Sequence, residues 1–220
     1  MKRKYFVLIT VLILASSVIG QERYLKPVDK ANESKSFLEF RTKVISAAER
    51  RDAKFIFSIL DPQIKLSFGG DGGIADFKSM WELEKKDSRF WSEFLKVMKN
   101  GGDFGNGKER LNSFTSPYTH SSWPEDIDAM EHSAILGNRV NLRETPSMDG
   151  KVIGQLSYNI VKVSDSIFKE DEIADWVKIE TLGGKRGWVK GEFVRSPIDF
   201  RAGFEKKRGV WKMTFFIAGD

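Results

Sequence analysis

The chain of 220 residues contains no cysteine. It therefore has no disulfide framework, no lipid-modified cysteine at its N-terminus and no cysteine nucleophile. Histidine is scarce too, since His120 and His132 are the only two in the sequence. They lie twelve positions apart without an H-E-x-x-H motif, which is not the spacing of a metal site. The sequence therefore predicts neither a bound metal nor a cofactor.

Long apolar runs are missing after the first 20 residues. Three basic residues at 2–4 precede an apolar run at 5–15, and small residues follow as far as Gly20. This order predicts a secretory signal peptide over residues 1–20, with an uncleaved N-terminal anchor as the alternative. The run is shorter than the roughly 20 residues that span a bilayer. We expect a periplasmic or secreted bacterial protein with no stable membrane span after signal cleavage.

A strong charge of one sign is also absent. The full chain has 36 basic and 31 acidic residues, but three of the basic ones lie in the predicted signal. The remaining 33 basic and 31 acidic residues give a net charge of +2 and are interspersed along the chain. A nucleic-acid-binding protein usually carries a basic domain or stripe. We therefore expect no nucleic-acid partner.

The first half of the chain has helical periodicity. After a polar leader at residues 21–33, the apolar spacing predicts a helix at about 36–51 with Ser36 as its N-cap. Asp52 is expected to cap a second, short helix. Alternating apolar residues at 64–68 predict a strand, and two more helices follow before Gly101.

A glycine-rich loop at residues 69–73 precedes the third of these helices. Backbone N–H groups in such a loop can bind phosphate. The loop lacks the Lys-Ser/Thr pair of a P-loop and the alternating acids of a calcium loop. We therefore interpret it as a tight turn between strand and helix.

Both histidines lie in the irregular segment at residues 100–133. Tyr118, His120 and Trp123 are close in sequence and are candidate ligand-binding residues, although the two aromatic side chains are also suited to packing the loop onto the helices. A serine, a histidine and an acidic residue occur together in such segments of many proteins, so their presence here does not indicate a catalytic triad. We therefore assign no catalytic residue.

From residue 135 onward the apolar period changes to two, with turn residues every ten or so positions. Short antiparallel strands of this kind need closure to hide their edges, which favours a small barrel. The recurring motifs are Val140-Asn141-Leu142-Arg143, Val152-Ile153-Gly154, Trp176-Val177-Lys178-Ile179, Gly187-Trp188-Val189 and Phe193-Val194.

In their order and spacing, these motifs over residues 136–195 resemble a bacterial SH3-like (SH3b) domain. The resemblance implies a module that binds cell-wall peptides or targets a neighbouring domain. Within it we interpret Arg143 as structural, tying turns together, and take Tyr158, Trp176 and Trp188 as candidate ligand contacts. The sequence departs from the usual pattern at Tyr158-Asn159, where a polar residue and a glycine are common.

The residues after Pro197 predict a β-hairpin with a turn at 207–209 and an apolar face of Trp211, Met213, Phe215 and Ile217. Left at an edge, this hairpin would be an aggregation hazard. We therefore predict an α+β fold in which a helical N-terminal region is completed by a C-terminal β-hairpin. In this fold, residues 34–133 and 197–220 form one domain, and the SH3-like β-barrel at 136–195 is inserted in it.

Helices followed by a strand and a terminal hairpin also resemble, weakly, the nuclear-transport-factor-like cone. That resemblance depends on the element order and on the turn Gly209-Val210-Trp211-Lys212. It implies a fold that can enclose a pocket, and no residue role is transferred from it.

Two functions are compatible with these features. The first is a non-catalytic exported binding protein whose barrel recognises a peptidoglycan peptide or an envelope protein, and a structural or assembly role is not separable from it. The second is an envelope hydrolase that uses the barrel for targeting. Its catalytic pair would have to come from His120, His132, Asp126, Asp128 or Glu131. We favour the first.

Overall fold

The computed structural model describes residues 20–70, 72–107, 109–164, 168–169 and 172–219. The predicted signal peptide lies outside these residues, apart from Gly20. In the described part the fold is mixed α+β, with five α-helices and two larger sheets. None of its helices combines the length and the hydrophobicity that a membrane span requires.

Most of the helices lie in the first half of the chain. In chain order they are α1 Lys35–Glu49, α2 Ala53–Ile59, α3 Gly73–Trp81, α4 Phe90–Lys99 and the single turn α5 Tyr118–Ser121. The strands are β1 Leu60–Lys65, β2 Asp103–Phe104, β3 Ser113–Ser116, β4 His132–Ile135, β5 Val140–Arg143, β6 Val152–Leu156, β7 Ile160–Val163, β8 Phe168–Lys169, β9 Glu172–Ile173, β10 Trp176–Thr181, β11 Arg186–Lys190, β12 Val194–Arg195, β13 Arg201–Lys207 and β14 Val210–Ile217.

Side-chain caps set the starts of the first two helices. Asp52 accepts a hydrogen bond from the Phe55 N–H at 2.9 Å, which confirms the predicted cap of α2. The predicted cap of α1 was wrong, because the Ser34 hydroxyl, not Ser36, accepts the Phe37 N–H at 3.4 Å. Both serines precede the apolar stripe, so the sequence pattern alone does not distinguish them. Ser34 has an extended backbone, as an N-cap residue requires, and α1 therefore begins at Lys35.

The five-stranded sheet has the order β1-β14-β13-β3-β2. β13 and β14 pair antiparallel, and β1 joins the outer side of β14 in parallel. The predicted strand at 64–68 lies instead at Leu60–Lys65, so Asp61 and Pro62 lie within a strand that follows α2 directly. Because β1 pairs with β14, which is far away in the sequence, no local sequence pattern predicts this parallel pairing.

A register shift changes the inward face of the C-terminal hairpin. Gly203 lies opposite Phe215 and Phe204 opposite Met213, so Thr214 is an extra residue in β14. Beyond this bulge the alternation reverses, and Phe216 is buried where the sequence pattern placed Phe215. The Phe215 ring packs over Gly203 so closely that a Cβ there would lie 2.0 Å from the ring.

Aromatic side chains fill the core between the helices and the five-stranded sheet. The Phe37 ring, fully buried on α1, lies with its centroid 4.1–6.1 Å from five other rings. These five rings belong to Phe40, Phe104, Phe114, Phe204 and Trp211. One helix position therefore holds together rings from β2, β3, β13 and β14.

The second sheet has seven strands in the order β12-β4-β7-β10-β11-β5-β6, and β8 pairs only with β9. Its buried side chains form a separate apolar cluster, as the period of two predicts. The cluster consists of Ile135, Val140, Leu142, Leu156, Val161, Val177, Ile179, Val189 and Val194. The sheet already includes β4, which lies before the predicted barrel boundary at residue 136.

The predicted polar leader, residues 21–33, contacts the turn between β6 and β7 and the residues between α4 and β2, and we call it the strap. At its start the Leu25 N–H donates to the Tyr158 carbonyl at 2.7 Å, and the Ile160 N–H donates to the Arg23 carbonyl at 2.8 Å. The strap thereby lies along the residues that join β6 to β7.

Farther along, the strap bonds to the end of α4. The Gly102 N–H donates to the Val28 carbonyl at 2.9 Å. Gly101 has a φ of +61°, and a Cβ on it would lie 2.1 Å from the Val28 oxygen. Glycine is therefore required at residue 101 both to leave the helix and to admit the strap.

Replacing Phe37 with alanine should lower the free energy of unfolding by about 3–5 kcal/mol, because a large cavity would open among five rings. Leu38→Ala is the matched control, since Leu38 is the next residue of α1 and is 42% exposed. It should change stability by less than about 0.5 kcal/mol. Chemical denaturation followed by circular dichroism measures both values, and similar losses for the two variants would contradict the assigned core.

Candidate functional site

The six predicted ligand-binding residues fall into two groups. Tyr118, His120 and Trp123 lie in and just after α5, whereas Tyr158, Trp176 and Trp188 belong to the seven-stranded sheet and its turns. No hydrogen bond joins the two groups within the described residues. They are therefore considered separately.

Tyr118 is a packing residue in this structure. Its side chain is 2% exposed and lies in an apolar cluster with Leu25, Ala134 and Ile160. Burial raises the pKa of its phenol to about 12. A side chain so enclosed has little surface left for a ligand.

Trp123 packs against the same cluster, and its indole N–H donates to the Ile127 carbonyl at 2.8 Å. Tyr118 and Trp123 therefore fill the space between the α5 segment and the seven-stranded sheet and do not line a cavity. This arrangement leaves the seven-stranded sheet as the better candidate surface.

His120 contacts the chain where it leaves the seven-stranded sheet. Its Nδ1 lies 3.1 Å from the Pro197 carbonyl, which can only accept, so Nδ1 carries the proton in that bond. Burial lowers the pKa of His120, and the positive charge of Arg201 lowers it further. The imidazole is therefore neutral at pH 7.

The residues considered for a catalytic pair do not come together. His132 Nδ1 lies 2.9 Å from the backbone carbonyl of Asp128, and Asp126 pairs with Arg23 at 2.7 Å. That hydrogen bond lowers the pKa of the Asp126 carboxyl. In the part of the chain that the structure describes, neither imidazole bonds to a carboxylate or a hydroxyl, and no His/Asp/Glu group has a metal-site arrangement.

The glycine-rich loop before α3 is occupied by the protein's own carboxylate. The Gly72 N–H donates to an oxygen of Asp76 at 3.1 Å. An acidic group in the first turn of a helix satisfies the positive end of its dipole. This contact agrees with a turn between strand and helix.

The outer face of β10 and β11 carries tryptophan and lysine in alternation. Trp176 lies opposite Lys190, and Lys178 opposite Trp188, while Val177 and its inward neighbours are buried. Both tryptophans are partly exposed. We call Trp176, Lys178, Trp188 and Lys190 the tryptophan–lysine face.

One contact lies within this face, and another holds a turn beside it. The Lys190 ammonium lies 5.2 Å from the centroid of the Trp176 ring, within the range of a cation–π interaction. Arg143 on β5 lies opposite Trp188, and its Nη1 donates to the Gly150 carbonyl at 2.7 Å. Arg143 thus ties down the 146–150 turn, which confirms its predicted structural role.

Chemically, the face combines flat aromatic surface with ammonium groups, which suits a peptide with acidic or amide groups. Sequence reasoning missed Lys178 and Lys190. The predicted hairpin turn at 183–185 could have revealed them, because it pairs each lysine with a tryptophan across the two strands.

Tyr158 is half-buried and has a φ of +58°. Its backbone carbonyl accepts the bond from Leu25 of the strap. The neighbouring Asn159, at the position where the sequence departs from the usual pattern, is buried and donates to Glu22 of the strap at 3.1 Å. This turn therefore docks the strap, and a ligand contact by Tyr158 stays a prediction.

The burial of His120 predicts a pH dependence of stability. The unfolded chain protonates this histidine near pH 6.5, whereas the folded chain protonates it only at lower pH. Protonation therefore favours unfolding, and stability should fall as the pH drops below about 6.5.

His120→Asn should flatten the dependence between pH 7.5 and 5, whereas the control His132→Asn should keep it. Urea denaturation at a series of pH values gives the free energies of unfolding. Identical pH profiles for wild type and His120→Asn would contradict this assignment.

Comparison with known families gives one match. Residues 138–195 match the family model described as the bacterial SH3 domain, which covers about a quarter of the chain. No curated protein matches the chain. The match ends before β13 and starts after β4, so the resemblance of the flanking residues to the nuclear-transport-factor-like cone stays a prediction. The motifs, the seven-stranded sheet and the family match agree, and residues 138–195 are a bacterial SH3 domain carried within a longer chain.

Proposed function

We propose that this chain is a non-catalytic exported binding protein whose SH3 domain recognises a cell-envelope peptide or protein. Bacterial SH3 domains are cell-wall and envelope binding modules. The observation that carries the proposal for this chain is the tryptophan–lysine face, which offers two partly exposed indoles on a rigid hairpin. Tryptophan side chains dominate the binding energy of many interfaces.

The expected location of the protein also supports a role in binding the cell envelope. Bacterial SH3 domains are typically extracellular or envelope-associated. The basic and apolar residues at 1–20 have the pattern of a signal peptide, so we propose export to the periplasm or the medium. A cell-wall peptide would be accessible to the protein in either place.

We also propose that the SH3 domain is inserted in an α+β domain formed by residues 34–133 and 197–220. Its support is the sheet order, since β13 lies between β14 and β3. Phe204 and Phe216 of the hairpin are buried against α1 and α4 rings. The first part of the chain therefore needs the last part to complete its core.

Ending the chain at Ser196 should remove β13 and β14 and leave the helices without a sheet to pack on. We expect insoluble protein, or soluble protein without a cooperative thermal transition in circular dichroism. A chain lacking residues 1–19 is the control and should unfold cooperatively. A soluble, cooperatively folded product ending at Ser196 would overturn the domain assignment.

Binding to the wall should depend on the tryptophan–lysine face. Trp176→Ala and Trp188→Ala should each weaken cosedimentation with purified peptidoglycan roughly tenfold, about 1.4 kcal/mol. The control is Tyr24→Ala, which removes an aromatic ring that is 55% exposed on the strap. Equal retention of all four proteins would remove the wall-binding function.

The same preparations test the hydrolase alternative. A hydrolase would release soluble muropeptides, and His120→Ala would abolish that release if His120 took part. The proposal expects no release by the wild-type protein. Release that depends on His120 would show that the protein is an enzyme.

A further inference from the structure

A cleft of about 390 Å³ opens where α4 meets the SH3 domain. Lys96 and Asn100 line it from the C-terminal turn of α4, and Asp175, Lys190 and Glu192 line it from the SH3 domain. Its volume is at the small end of the range for ligand sites, roughly 300–1,000 Å³. Both parts of the chain therefore contribute side chains to one cavity.

Charges of both signs line this cleft, and they nearly cancel. Lys96 pairs with Glu93 at 2.8 Å, and Arg195, which also lines the cleft, pairs with Asp199 at 3.3 Å. A simple polyanion would find no excess of positive charge here. A ligand that carries both an anionic and a cationic group would find partners for each.

The ion pair between Lys190 and Asp175 is the most readily exchanged. Its two charged atoms are 4.0 Å apart, and the Asp175 side chain is 94% exposed. Exposed pairs at this distance contribute little to stability. Both groups are therefore free to turn from each other to a ligand at small cost.

Two acidic side chains favour a cation in the cleft. Asp175 and Glu192 line its wall on the SH3 side. At the end of α4 the Met98 carbonyl already accepts a hydrogen bond from Arg41 at 2.6 Å, so the helix end is not the cation site. A ligand ammonium is therefore favoured beside Asp175 and Glu192, and a ligand carboxylate beside Lys190 and Lys96.

Lys190 belongs both to the cleft and to the tryptophan–lysine face, because its ammonium lies over the Trp176 ring. A peptide on that face can therefore place its end in the cleft. We infer that the cleft binds a short peptide that carries both a free amino group and a free carboxylate. This inference rests on the proposed function, and it adds that the α+β part helps to select the ligand.

The test is an NMR titration of the full chain with tri-alanine and with its N-acetylated and C-amidated forms. The reporters are the Asn100 side-chain amide and the Trp176 indole N–H, which lie in the cleft and beside it. The free peptide should shift both signals, and blocking either end should weaken binding at least fivefold.

Two variants separate the two charges. Lys96→Gln should remove the preference for a free carboxylate, and Glu192→Gln the preference for a free amine. The control Lys185→Gln alters an exposed lysine in the β10–β11 turn, outside the cleft, and should keep both preferences. Unchanged thermal midpoints show that the variants are folded.

The outcomes distinguish the inference from the proposed function. Tryptophan-dependent wall binding together with equal affinities for free and blocked peptides would overturn the cleft site and leave the function in place. Equal behaviour of Lys96→Gln and Lys185→Gln would also overturn it. Failure of the wild-type protein to sediment with the wall would overturn the function itself.

Discussion

The arrangement of the molecule depends on a short antiparallel pairing between β4 and β12. Ala134 lies opposite Arg195, and Ile135 opposite Val194. The chain enters the seven-stranded sheet at one of these strands and leaves it at the other, so its two connections to the rest of the fold lie side by side. After β12 the chain continues into β13 and β14, which lie in the five-stranded sheet.

Other contacts add to this constraint and orient the SH3 domain. Arg195 donates to the Phe200 carbonyl at 2.7 Å just after leaving β12. On another side, the strap joins the β6–β7 turn to the end of α4. Attachment at separate points limits rotation about the β4–β12 connection.

Local signals in the sequence were sufficient for the first four helices, the hairpin turn at 207–209 and the family of residues 138–195. Asp52 illustrates why, because a cap and the N–H that it satisfies are three residues apart. The strap was not predicted, since Leu25 and Ala31 show no apolar period although both are buried. The bulge at Thr214 was missed for a similar reason, because it is fixed by packing of Phe215 on Gly203.

The residues of the candidate site also divide into those that the local sequence predicts and those that only the fold brings together. Trp176, Lys178 and Lys190 follow from strand alternation and a hairpin turn, and so are readable from the sequence. Lys96 joins them only through the fold. The difference matters for specificity: stacking on indole tolerates many peptides, whereas charged groups on the two walls of the cleft can distinguish one peptide end from another. Affinity can therefore come from the SH3 domain alone, while discrimination between peptide ends needs both parts of the chain.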